Sequence, residues 1–210
     1  QAYMHALDLV REKDLMGSLL VVPGIRNPLI TDEALEISNE RGDIFYIMDI
    51  EEKDEFKQSV TGTLSLATPE ISATRLRNTR SSFTDTPRDT TFGAAFYPDI
   101  QIEQSVISDN NDNPKTVNVR VPPTVGVIHA MAKSSECAKI LGEAEGDVGA
   151  LSTFTKFNDN DIEEFFQNNI NIISGPTIEG GDPKKPFLRS QNTLMTSKSA
   201  MDRISIRRMF

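Results

Sequence analysis

The chain has 210 residues, of which 38% are hydrophobic and 25% are charged, and its formal net charge is -9. This composition is ordinary for a globular protein of one or two domains, but its acidity argues against nucleic-acid binding, which needs clustered Lys and Arg. The single cysteine, Cys137, excludes an intrachain disulfide and a cysteine-based zinc site. No apolar run approaches the roughly 20 residues that cross a bilayer, so we expect no membrane insertion.

The first part of the sequence alternates between helix and strand patterns. A short amphipathic helix is predicted for residues 5–14, and a buried strand for residues 19–22. A helix over residues 31–40, with Thr31 as its N-cap, leads to a second buried strand over residues 43–49. Strands joined by a helix form a βαβ unit with a right-handed crossover. We therefore predict a mixed α/β fold with a parallel first strand pair, flanked by helices.

The middle of the sequence changes character. Residues 51–91 are polar and predict helix and loop, whereas residues 92–107 read as extended apolar chain. An Asn-rich turn and the alternating residues 117–121 then predict the second arm of a hairpin. On this basis we divide the sequence into an α/β part, residues 1–91, and a β-rich and α/β continuation, residues 92–210.

The continuation is predicted to hold two more helices and three more strands. Pro122 and Pro123 open a helix with Val125, Ile128 and Ala132 on one face. A second helix is expected over residues 159–168. The predicted strands are residues 170–174, 188–195 and 204–209.

A search for catalytic, cofactor-binding and metal-binding residues yields none. His5 and His129 are the only histidines, and His129 is predicted to be a partly buried, hydrogen-bonded helix residue. Asp109 and Asp112 lie in a turn that lacks the glycine and glutamate of a calcium loop. The Gly-rich residues 174–183 lack the Gly-Lys-Ser/Thr ending of a phosphate loop. We therefore expect no enzyme, no cofactor and no metal.

Seven short segments occur in a characteristic order along the chain. They are residues 20–24 (LVVPG), 40–49 (ERGDIFYIMD), 94–98 (AAFYP), 121–127 (VPPTVGV), 168–173 (NNINII), 189–194 (RSQNTL) and 204–210 (ISIRRMF). Together they resemble the conserved core of the contractile tail sheath proteins of bacteriophages. The chain departs from that family in having no Trp, which the family often places just before the segment at residue 189.

The resemblance implies a structural subunit that polymerises as stacked hexameric rings around a tail tube and contracts to drive the tube through the host envelope. It implies other sheath subunits, the tail tube and the baseplate as partners, and a location in the virion tail after assembly in the host cytoplasm. In this family, extended terminal arms add strands to neighbouring subunits. We expect these arms and the family's C-terminal domain to lie outside the 210 residues, and we therefore expect this chain alone to be monomeric in dilute solution.

Two other interpretations stay open. The sheath of a related contractile machine, such as a type VI secretion system or a tailocin, would share the same mechanics. An α/β enzyme with a site in the loop of residues 175–186 is the other interpretation. Such an enzyme would show a cleft lined by carboxyl groups with strongly shifted pKa values.

Overall fold

The structure is a computed structural model. It describes residues 2–12, 17–50, 53–58, 64–66, 89–108, 111–134, 136, 139–155, 157, 159–175, 185–195, 197 and 200–201. The helices are α1 (Ala2–Arg11), α2 (Pro28–Arg41), α3 (Pro123–Lys133), α4 (Gly142–Glu145) and α5 (Asp159–Gln167). The strands are β1 (Leu19–Val21), β2 (Phe45–Asp49), β3 (Lys53–Gln58), β4 (Leu64–Leu66), β5 (Gly93–Tyr97), β6 (Ile100–Ser108), β7 (Asn111–Val121), β8 (Ser152–Thr153), β9 (Ile170–Ser174) and β10 (Phe187–Leu188).

A five-stranded sheet in the order β1-β2-β5-β9-β10 forms the centre of the molecule. The first four strands are parallel, and β10 is antiparallel at one edge. The predicted parallel pair is confirmed, since Leu19 lies opposite Phe45 and α2 connects the two strands. The mixed α/β fold class is confirmed as well. The sheet takes strands from both sides of residue 91, and the division into two parts at that residue stays a prediction.

Both faces of the central sheet are buried, as expected for parallel strands covered by helices. On one face, Phe45 and Ile47 belong to a hydrophobic cluster with Val127 of α3. On the other face, Tyr46 and Met48 belong to a cluster that includes residues of α1, α2 and α5. The sheet therefore forms the middle of three layers, with one hydrophobic cluster on each of its faces. The side chain of Phe45 is fully buried in the first of these clusters.

Helix α2 begins earlier than the sequence pattern predicts. Its N-cap is Asn27, whose side chain accepts a hydrogen bond from the backbone of Leu29 at 3.0 Å, and Pro28 occupies the first turn. Thr31 was predicted as the cap but lies inside the helix and is buried. Asn followed by Pro is the stronger start signal, because the amide caps the helix and proline needs no N–H partner in the first turn.

The predicted hairpin is confirmed, but the run before it is not one strand. β6 and β7 pair antiparallel, with Ile100 opposite Val121, and belong to a three-stranded sheet with β8. The run predicted over residues 92–107 is instead divided at Pro98 into β5 and β6, which lie in different sheets. Proline has no N–H for a strand ladder, so it is a natural point of separation.

The prediction of helix and loop after residue 51 is wrong for β3 and β4, which form a two-stranded antiparallel sheet. Phe56 is the only apolar residue of β3. The strand therefore carries almost none of the alternation by which strands are recognised. The rest of that region, including the predicted loop up to residue 88, lies outside the described residues.

The predicted apolar face of α3 is wrong. Ile128 and Ala132 are exposed, whereas Val127, Ala130 and Met131 are buried. The helix is apolar on most of its circumference, so spacing alone cannot choose the face. Gly126 decides it, because a Cβ atom there would lie 2.7 Å from the Cδ1 atom of Ile100. The same rotation of the helix exposes His129, which we predicted to be partly buried.

The last predicted elements have mixed outcomes. The helix at residues 159–168 and the strand at residues 170–174 are confirmed as α5 and β9. The strand predicted over residues 188–195 is wrong, since only β10 forms ladder bonds there and the chain after it is irregular. The strand predicted over residues 204–209 lies outside the described residues.

Candidate functional site

The carboxyl ends of the parallel strands are the place where open α/β sheets usually bind ligands. Here the turn after β1, the end of β2, the segment after β5 and the start of α3 meet. Six residues form what we term the carboxyl-end cluster: Gly24, Arg26, Asp49, Asp99, Arg120 and Thr124.

Asp49 is the last residue of β2 and is 2% exposed. Its Oδ2 atom accepts hydrogen bonds from the backbone N–H of Gly24 at 2.7 Å and from the hydroxyl of Thr124 at 2.9 Å. Its Oδ1 atom accepts from the backbone N–H of Thr124 at 2.9 Å. Burial raises the pKa of Asp49, and the hydrogen bonds from Gly24 and Thr124 oppose that effect. One carboxylate thus joins three elements of the fold.

Asp99 follows β5 and is also buried. It pairs with Arg26 through its Oδ1 atom, and its Oδ2 atom lies 2.8 Å from Arg120 Nη2. Burial raises the pKa of Asp99, and the Arg26 guanidinium opposes that effect. Arg120 also lies over the ring of Phe154, 4.4 Å from its centroid. The ion pairs tie the turn after β1 to the hairpin.

The chemistry available to this cluster is limited by its burial. Thr124 donates its hydroxyl proton to Asp49, which resembles a nucleophile beside a base, but Thr124 is 0% exposed and cannot reach a substrate. The three hydrogen bonds that the Asp49 carboxylate accepts come from Gly24 and Thr124 of this chain. The arrangement therefore closes one end of the sheet and offers no open position for a reacting molecule.

The amino end of β9, nearer the β10 edge of the sheet, is held by neutral groups. Asn171 of β9 is fully buried, and its Oδ1 atom accepts from the hydroxyl of Ser190 at 2.9 Å and from the N–H of Asn192 at 2.6 Å. Its Nδ2 atom donates to the carbonyl of Asn192 at 2.7 Å, and Asn169 donates to the carbonyl of Met195. We term these five residues the amino-end cluster. The side chain of Asn171, instead of backbone ladder bonds, holds the chain after β10 against β9. Residues 189–195 are therefore irregular.

The residues that sequence analysis considered for chemistry are not brought together. His5 lies exposed in α1 and His129 lies exposed in α3. Asp109, Cys137 and residues 176–184 lie outside the described residues, as does the side chain of Asp112. Both buried carboxylates were missed, although each stands at the end of an apolar strand, Asp49 as the last residue of β2 and Asp99 two residues after β5. The expectation that the chain has no catalytic, cofactor or metal residue stays a prediction.

Two further observations bear on the class of protein. Among the residues that the structure describes, no group of three or more His, Cys, Asp or Glu side chains is placed to hold a metal ion. Over the same part of the chain, the helices are too short or too polar to span a membrane.

The fold defined above, a parallel sheet between two helical layers with a projecting hairpin, is sheath-like. It is similar to the cryo-EM structure of the helical sheath of the anti-feeding prophage in its contracted state, with a TM-score of 0.50 and 16% sequence identity. The likeness covers 100% of this chain and 46% of that chain, so the present chain spans about half the length of that sheath protein. No family model and no curated protein matches the sequence.

Proposed function

We propose that the chain is the core of a structural subunit of a contractile tail sheath of the bacteriophage type. In this role, subunits polymerise as stacked hexameric rings around a tail tube and contract from the baseplate to drive the tube through the host envelope. The subunit would reside in the virion tail after assembly in the host cytoplasm. The observation that carries the proposal is the likeness to a helical sheath over 100% of the chain.

The structure of the described residues supports a load-bearing body over an enzyme. The sheet is buried on both faces, and hydrogen bonds within the chain close it at the carboxyl end of β2 and at the amino end of β9. A contracting sheath needs rigid units that move against each other without unfolding, because its work comes from switching between two packing arrangements. No nucleotide is required for such a transition.

The second candidate is the sheath of a related contractile machine, such as a type VI secretion system or a tailocin. It is favoured by the neighbour itself, whose sheath belongs to an anti-feeding prophage. The genes around this one separate the candidates. Capsid and terminase genes nearby support a phage tail, and secretion genes support the alternative.

Electron microscopy of the purified gene product that contains this chain tests the proposal. We expect negative staining to show rings or striated hollow tubes. The 210-residue chain should sediment as a monomer in dilute solution, because its net charge of -9 repels its copies at low salt. A gene product that stays monomeric at every protein and salt concentration would contradict the proposed function. A stable hexamer of the 210-residue chain would contradict only the role given to the terminal arms.

A further inference from the structure

The hairpin of β6 and β7 has one apolar face that runs from the core out into solvent. On this face Ile102 lies opposite Val119, then Gln104 opposite Val117, and then Val106 opposite Lys115. Ile102 is packed against the core, but Val117 is 37% exposed and Val106 is 44% exposed. We term Val106, Lys115 and Val117 the hairpin stripe. An apolar stripe on a projecting arm is typical of a contact surface.

The other face of the same hairpin is polar. It carries Glu103 opposite Asn118 and Ser105 opposite Thr116, and all four side chains are exposed. The alternation along both strands thus matches a sheet with one solvated face and one covered face. The apolar face continues outward from the core and stays exposed at Val106 and Val117, as is typical of a surface that binds another protein.

A groove of about 470 Å³ lies at the far edge of the central sheet, between α5 and β10. Leu141, at its mouth, is 46% exposed, and Glu163 of α5 lines the same groove with an exposed side chain. Arg189 lies over the ring of Phe187, with its guanidinium carbon 5.2 Å from the ring centroid, and forms part of the wall. We term this the edge groove. Its remaining apolar lining is Ile162, Phe166, Ile172, Phe187 and Leu188.

We propose that the hairpin stripe of one copy of this chain docks into the edge groove of a second copy. The stripe is an exposed face of the hairpin and the groove is recessed, and each exposes apolar side chains, Val106 and Val117 on the stripe and Leu141 at the groove. Lys115 lies opposite Val106 on the stripe and can pair with Glu163, which lines the groove together with one cation, Arg189. Each valine that leaves water adds roughly 25 cal/mol per Å² of apolar surface covered.

A contact between two different surfaces has a structural consequence. Each copy offers one hairpin and one groove, so a contact made in one direction only is head-to-tail and repeats from copy to copy as a ring or a helix. The inference rests on the proposed function, in which copies of the chain form a helical sheath. A hairpin tip covers less than the roughly 1,200 Å² of a stable interface. We therefore expect the contact to be weak in the isolated chain, in agreement with the predicted monomer.

Directional cross-linking tests the contact. All variants carry Cys137→Ser, and one adds Val117→Cys while the other adds Leu141→Cys. With a short bismaleimide, we expect dimers in a mixture of the two variants and only background levels in either variant alone. The control partner is Glu36→Cys, on the exposed side of α2. A yield for Val117→Cys with Glu36→Cys, or with itself, equal to that of the mixture would overturn the proposal.

A charge exchange sharpens the same experiment. Lys115→Glu on the Val117→Cys copy should lower the cross-linking yield about threefold, as expected for one partly exposed ion pair. Glu163→Lys on the Leu141→Cys copy should do the same, and the two changes together should restore the yield. Circular dichroism of each variant shows whether it is folded. Equal loss without rescue in folded variants would overturn the assigned register.

The result stands apart from the test of the sheath function. Absence of directional dimers overturns this docking even if the gene product forms tubes, in which case the proposed function survives. Directional dimers support the docking even if tubes do not form, in which case the proposed function fails.

Discussion

Two buried polar clusters close the central sheet in chemically different ways, one at the carboxyl ends of β2 and β5 and one at the amino end of β9. The carboxyl-end cluster uses the buried carboxylates of Asp49 and Asp99 with two arginines and backbone N–H groups. The amino-end cluster uses amides and one hydroxyl, centred on Asn171. Both hold an irregular segment against the sheet, but only the first depends on ionisation. The two clusters should therefore differ in their response to pH and salt.

The difference follows from what each end has to bind. The start of α3 presents N–H groups and the positive end of the helix dipole to Asp49, and a carboxylate suits such a set of donors. Asn171 accepts from the N–H of Asn192 and donates to its carbonyl, and an amide side chain does both through two separate atoms, which a carboxylate cannot do. The polarity of the neighbouring backbone thus selects the residue type at each end.

The largest expected effect comes from breaking the hydrophobic core on which both clusters depend. Phe45→Asp places a charge without a partner at a fully buried position, and we expect it to lower the free energy of unfolding by about 4 kcal/mol or more. Urea unfolding followed by circular dichroism measures the change. Glu36→Gln, on an exposed face, is the matched control and should cost less than about 0.5 kcal/mol. Equal midpoint shifts for the two variants would mean that Phe45 is not in the core.

Removal of the central amide should damage the neutral end alone. Asn171→Ala leaves the Ser190 hydroxyl and both backbone groups of Asn192 without this partner, and we expect a loss of about 3 kcal/mol. Because no group of the amino-end cluster ionises, the loss should be the same from pH 5 to pH 8. A loss that changes over that range, in urea titrations at each pH, would contradict the neutral description.

The corresponding change at the other end is smaller at neutral pH. Asp49→Asn keeps the shape but turns an NH₂ group toward at least one of the donors from Gly24 and Thr124. We expect a loss of about 2 kcal/mol at pH 7, because one buried donor then lacks its acceptor. Thr124→Val removes only the hydroxyl contact and should cost less. A neutral result for Asp49→Asn would mean that Asp49 is already protonated in the folded protein.

The pH dependence of the Asp49→Asn difference has a defined sign. The pKa of Asp49 is raised in the folded protein above its ordinary 3.8, chiefly by burial. The folded state then binds this proton at a higher pH than the unfolded state does, so the contribution of Asp49 to stability grows as pH falls through the raised pKa toward 3.8. The wild type should gain stability relative to Asp49→Asn over that window. The stability of the wild type has to be compared with that of Asp49→Asn at each pH, because other groups also make stability depend on pH. Asp147, whose pKa is lowered mainly by Lys133, makes stability fall as pH falls, and the comparison cancels its contribution.

The sequence predicted those helices and strands whose hydrophobic pattern or turn residues lie within the element itself. The apolar runs at β1 and β2, the hairpin turn before β7 and the amphipathic α5 each carry their own pattern. Two of the failures occur where a distant residue decides. The face of α3 depends on how closely Gly126 approaches Ile100, and the irregular chain after β10 depends on the buried Asn171.

The carboxyl-end cluster was missed for a related reason. Asp49 and Thr124 are 75 positions apart, and neither residue alone differs from an ordinary strand end or helix start. Asp49 became informative only once the parallel pair had placed the end of β2 beside the turn after β1. A charged residue at the end of a buried strand is the one local signal that could have drawn attention to it.

The smallest expected effect lies within the ionic end itself and separates its two arginines. The Arg120 side chain is 42% exposed, whereas that of Arg26 is 16% exposed, and both pair with Asp99. Arg120→Gln leaves Asp99 its buried partner, so we expect a loss below about 1 kcal/mol that shrinks further in 1 M NaCl, where exposed charges are screened. Arg26→Gln removes the buried partner and leaves Asp99 only the more exposed Arg120, so it should cost more, with less dependence on salt, because the buried carboxylate keeps its desolvation penalty. Urea midpoints of both variants at low and high salt measure the contrast. Equal and equally salt-sensitive losses would show that Asp99 is solvated in the folded protein, and the distinction between an ionic buried end and a neutral buried end would then no longer hold.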